Sequence, residues 1–92
     1  MSSPYRTTPV FTEHTLPAAL TREHRTKPGV WGIVRVLEGT LLYRVLDPAS
    51  ESLVSSGAPG LVFPDQPHCL VPTPGESFRL QVEFYDHDPS KA

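Results

Sequence analysis

Four imidazoles and one thiol stand out in this 92-residue chain as groups that could hold a metal or move a proton: His14, His24, His68, His87 and Cys69. Imidazole titrates near neutral pH and binds Zn, Fe, Ni and Cu alike. The spacing of the histidines matches no common zinc pattern, since there is no CxxC, HExxH or HxH. GxGxxG, a phosphate-binding P-loop and GxSxG are absent as well. No local motif therefore announces an enzyme. The single cysteine rules out an internal disulfide.

His24 lies in the densest charged stretch, "REHRTKPGVWG" (22–32). Arg22, Arg25 and Lys27 there could form an anion-binding rim. Strand alternation would place Arg22 on the His24 face, beside a ligand. The plainer alternative is a solvated strand edge whose charges discourage edge pairing. His68 follows the proline-rich turn "PDQP" (64–67) and opens a strand. His24 and His68 are candidate ligands of a divalent metal (Zn, Fe or Ni). A catalytic zinc usually has three protein ligands, so Glu83 is the candidate third and Gln81 a candidate ligand contact. Both fall on one face of the last strand, opposite Phe78, Leu80, Val82 and Phe84. If the apolar face turns inward, Gln81 and Glu83 are solvated and the third ligand is missing. The alternative for the histidines is a small polar pocket, bonded internally or to water. Trp31 is a candidate stacking platform for a ligand, or else core or interface. Cys69 should face away from His68 and reads as a small buried hydrophobe. His14 and His87 sit near the ends of the ordered region and carry little weight.

Short strands must position these groups. Eleven prolines and six glycines are spread along the chain as punctuation. Residues 1–9 read as a flexible arm, 10–86 as the domain and 87–92 as a frayed tail. "VFTEHTL" (10–16) is a short edge strand and "AALTREH" (18–24) a further strand. "VWGIVRVL" (30–37) and "TLLYRVL" (40–46) are joined at Glu38-Gly39, which predicts a hairpin. "DPASES" (47–52) is a turn before the brief strand "LVSS". "LVF" (61–63) and "HCLV" (68–71) follow. "SFRLQVEFY" (77–85) alternates cleanly over nine residues. Seven or eight short strands predict an all-β sandwich or barrel.

Composition bounds the rest. The length suits one domain, and its small core would gain from dimerisation. A net charge of −2 gives no reason to expect nucleic acid. No apolar run approaches the ~20 residues of a membrane span. No secretory h-region is visible near the N-terminus, and a cytoplasmic location fits.

"VLEG" at 36–39, His24 twelve residues before it and His68 four residues after Pro64 resemble the motifs of a cupin. "FTEHTLPAAL", "HRTKPGVWGIVRVLEGTL", "FPDQPH" and "VEFYD" narrow this. Together they resemble the small cupin family that includes the N-terminal domain of the tellurite-resistance protein TehB and stand-alone YeaR-like proteins. The resemblance runs from about Phe11 to Tyr85. It implies a double-stranded β-helix (jelly-roll barrel), a homodimer and a metal between the sheets; a small ligand would take the metal's open position, an anionic one if the basic rim holds it. The family's metal set of three His and one Glu is reduced here. Thr26 stands where the second histidine of the pair would be, and the glutamate position falls near Trp31. No methyltransferase half is expected. Three functions stay open: a metal-binding cupin with a role in stress or tellurite resistance, a non-enzymatic ligand-sensing module, and a metal-free structural dimer.

Overall fold

The computed structural model describes residues 3–91; residues 1, 2 and 92, the outer ends of the expected arm and tail, lie outside them. The described chain forms eight strands: β1 (Arg6–Thr7), β2 (Phe11–Thr12), β3 (Trp31–Glu38), β4 (Thr40–Leu46), β5 (Ala49–Ser55), β6 (Gly60–Val62), β7 (His68–Val71) and β8 (Arg79–Tyr85). They build two antiparallel sheets. The larger has the order β1-β8-β3-β6, with β2 also on β8, and the smaller has the order β5-β4-β7. No described helix is long and apolar enough to cross a membrane.

The core is a direct product of period-two alternation. Val34 and Val36 of β3, Val62 of β6 and Leu80 and Val82 of β8 meet Leu41 and Tyr43 of β4, Val54 of β5 and Leu70 of β7. Phe78, Leu80, Val82 and Phe84 therefore form the inward face. The β3–β8 ladder, with Ile33 opposite Glu83 and Arg35 opposite Gln81, carries the other face.

Three expectations need correction. Glu38-Gly39 does not close a hairpin, because β3 pairs with β6 and β8 while β4 pairs with β5 and β7. The chain instead crosses between sheets at Gly39, where φ is +83°. A Cβ there would lie 2.6 Å from the Ser77 carbonyl oxygen, so only glycine fits this corner. The hairpin is β4–β5, turned by Asp47-Pro48 alone, and β5 is longer than expected. Its polar residues Ser50, Glu51 and Ser52 are exposed on an edge strand, so they look like a loop in the sequence. Residues 18–24 are not a strand. Pro17 at φ −58° starts a 3-10 turn, Ala18–Thr21, and only His24 joins a ladder. Within the segment read as an arm, Arg6 and Thr7 pair with Phe84 and Glu83.

Candidate functional site

His24 and His68 form an isolated antiparallel bridge at the edge of the smaller sheet. His24 N–H donates to the His68 carbonyl at 3.0 Å, and His68 N–H donates to the His24 carbonyl at 2.9 Å. Paired residues in such a ladder project to the same face. The two imidazoles accordingly touch, with ring centroids 4.2 Å apart in an edge contact. The Tyr43 ring lies 5.6 Å from that of His68.

The loop before β7 fixes the His24 segment. Asp65 N–H donates to the Thr26 carbonyl at 3.1 Å, and Arg25 Nη1 donates to Asp65 Oδ1 at 3.3 Å. Asp65 makes these bonds from a positive φ of 53°. Thr26 Oγ1 donates to the Val30 carbonyl at 2.7 Å. At the position where a cupin would carry its second histidine, this chain uses a hydroxyl to shape the turn.

Each ring is oriented by its own backbone. His24 Nδ1 lies 2.9 Å from the Arg22 carbonyl, and His68 Nδ1 lies 2.7 Å from the Gln66 carbonyl. A carbonyl only accepts, so both Nδ1 atoms carry the proton. In the neutral rings both Nε2 atoms are left as acceptors. Burial pushes the His68 pKa below its ordinary value, with the nearby His24 adding to the effect. His68 is 4% exposed.

Both rings line a cavity of about 340 Å³ between the sheets. Val34, Val62, Leu70 and Val82 make most of its floor, and Arg6, Arg25 and Lys27 reach it from the exposed side. No Asp or Glu lines it. Arg25 is engaged with Asp65. Arg6 lies over the Phe84 ring, 5.9 Å from its centroid. Neither Arg6 nor Lys27 makes an ion pair among the described residues.

The structure brings His24 and His68 together and leaves the other candidates elsewhere. Glu83 lies across the larger sheet, on the face away from the core. Its carboxylate accepts from Arg35 Nη2 at 3.0 Å and from the Tyr85 hydroxyl at 3.0 Å. Strand alternation is the cause: Val82 and Phe84 border the cavity, so Glu83 cannot. Gln81 and Trp31 share that outer face, where the Trp31 ring packs 5.0 Å from Phe63. Arg22 contributes its carbonyl to His24, while its side chain stays outside the cavity lining. His14 and His87 do not border the cavity either. Cys69 is buried, and its ladder partner is Arg44, which points out to Glu51. Arg6 escaped the sequence reading because it lay in the apparent arm.

Among the described residues no three His, Cys, Asp or Glu side chains are grouped to hold a metal ion. The donor set thus does not fit the four-ligand centre that the cupin resemblance implies.

A family model described as a TehB-like domain matches residues 6–82. The chain belongs to the TehB-like domain family. The crystal structure of TehB from Haemophilus influenzae superposes on this TehB-like domain with a TM-score of 0.77 at 26% sequence identity. The match covers 88% of this chain but 30% of that one, so the domain spans under a third of that TehB. The crystal structure of a protein from Escherichia coli strain K12 gives a TM-score of 0.78 at 22% identity. It covers 88% of this chain and 86% of that chain, a likeness of fold. No curated protein sequence matches the domain.

Proposed function

We propose that this TehB-like domain is a small cupin-type module that binds a small anionic ligand in the cavity between its sheets. One observation carries the reading: an apolar cavity that, among the described residues, has two cations without an ion pair at its mouth, two histidines on its wall and no carboxylate. Arg6 and Lys27 attract an anion, and the valine-rich floor accepts an apolar body. A contribution to tellurite resistance belongs to the same reading, with a tellurium oxyanion among the anions to test. The test is a heteronuclear NMR titration with hexanoate, phosphate and tellurite. At least one should shift resonances of His24, His68 and Lys27, and Lys27→Glu should weaken that binding at least tenfold. Absence of shifts with all three anions would sink the proposal.

A second reading keeps the metal. Nδ1–H bonds to backbone carbonyls are the usual support of a metal-binding histidine, and both His24 and His68 have one. A divalent ion on the two Nε2 atoms would then need the ligand itself to complete its shell. Elemental analysis of protein purified without a polyhistidine tag decides between the readings. Stoichiometric metal that disappears in both His24→Ala and His68→Ala favours this second one.

A further inference from the structure

The polar groups bordering the cavity are nearly all occupied within the protein. Thr8 Oγ1 accepts from Val82 N–H at 2.9 Å and donates to the Pro9 carbonyl at 2.9 Å. Thr26 Oγ1 is committed to the Val30 carbonyl, and Arg25 to Asp65. Apart from the hydroxyl of the exposed Tyr5, what remains falls into two kinds. At the exposed mouth are two cations, Arg6 and Lys27. On the wall are the Nε2 atoms of His24 and His68, for which the described residues supply no partner. The His68 nitrogen is not sealed off, for the Tyr43 hydroxyl is the one fully enclosed side-chain polar atom without a partner among the described residues.

These two kinds of group ask for different chemistry. A cation at the mouth calls for an anion. A neutral imidazole whose Nδ1 carries the proton offers a lone pair at Nε2, and a lone pair calls for a donor. A carboxylate cannot satisfy it. Buried acceptors left without a donor are costly, so the ligand that fits best supplies one. Most of the remaining lining is aliphatic, with Val34, Val62 and Val82 on the floor.

We propose that the cavity's ligand is a chain-like monocarboxylate that carries a hydroxyl group at its far end. The carboxylate rests between Arg6 and Lys27, the hydrocarbon lies along the valines, and the hydroxyl donates to a histidine Nε2. The proposal rests on the reading of the cavity as an anion site and adds the donor requirement to it. It sets such a ligand apart from a compact oxyanion, which fills the mouth alone, and from a simple fatty acid, which leaves the histidines unpaired.

Calorimetric titration with three six-carbon probes tests it: ω-hydroxyhexanoate, hexanoate and ω-methoxyhexanoate. The methyl ether keeps an oxygen acceptor and removes only the donor. The hydroxy acid should bind roughly five- to tenfold more tightly than either analogue, as one buried hydrogen bond allows. At least one of His24→Phe and His68→Phe should erase that difference, and a preference that survives in both overturns the donor requirement. Lys27→Gln should weaken all three probes alike. The preference should survive treatment of the protein with a chelator. Equal binding of hydroxy acid and methyl ether overturns the donor requirement while the anion site stands. A preference that vanishes with the chelator overturns it as well, because a metal would then be the group reading the hydroxyl. Failure of all three probes to bind overturns both the requirement and the site.

Discussion

Tyr43 shows how much a single buried group can cost. Its ring packs beside His68 and its hydroxyl is enclosed without a hydrogen-bond partner. Burial pushes its phenol up to about 12. An unfolded tyrosine loses its proton near 10. Between these values the folded chain holds a proton that the unfolded chain has lost, so stability falls as pH rises through the window. A shift of that size corresponds to a few kcal/mol at most, on the order of 3. Tyr43→Phe removes both the unpaired hydroxyl and this alkaline loss. Denaturant unfolding should show the variant more stable by about 1 kcal/mol at neutral pH. Its stability should also decline less between pH 10 and 12. A variant less stable than wild type would mean that the hydroxyl has a partner, such as an ordered water.

The elements place the site through one tight corner and one loop. Gly39 lets β3 end in one sheet and β4 start in the other within a single residue. Gly39→Ala adds a Cβ against the Ser77 carbonyl oxygen and holds alanine at a left-handed φ. The expected loss is at least about 2 kcal/mol, measured as a lower denaturation midpoint with an unchanged slope. Wild-type stability in that variant would mean that the corner relaxes freely.

At this scale the sequence was partly legible. Alternation in β8 could be read directly because that strand has one buried face, and the boundaries of β7 because proline-rich turns flank it. The partners of β3 and β4 could not. Both a hairpin and a sheet-to-sheet crossing use Glu-Gly, and only contacts of Gly39 with Ser77 and Phe78, far along the chain, choose between them. The site was legible to the same degree. His24 and His68 stood out by their landmarks. Glu83 could be followed only to a choice of faces, which the packing of Leu80 and Val82 decides. Arg6 gave no signal, since pairing with Phe84 is a long-range event.

The whole molecule carries its charge unevenly. Its net charge is −2, yet the cavity lining holds cations and no carboxylate. The protein's stability toward acid follows from its titrating groups. His68 takes a proton less readily when folded than when unfolded, owing to burial. As pH falls below the ordinary histidine value of about 6.5, the unfolded chain gains a proton before the folded one, and stability drops. The drop ends once pH passes the lowered folded value. A second decline begins at more acid pH. There the hydrogen bonds of Glu13, Asp86 and Asp88, which lower their pKa values, are lost to protonation. Unfolding measured from pH 8 to pH 3 should show both limbs, and His68→Asn should lack the first. A single limb near pH 4 in the wild type would contradict the burial of a neutral His68.

The backbone bridge between His24 and His68 also joins parts of the chain that are far apart in sequence. The contact that braces it, Arg25 to Asp65, spans 40 positions of sequence. Closing so long a loop loses chain entropy before it gains any contact, and non-local pairings of this kind are slow to form. All of β3, β4, β5 and β6 lie inside that loop. The imidazole pair is therefore expected to come together only when β7 docks on β4, its ladder partner. A chain in which β7 is not docked has both histidines but not the contact between their rings.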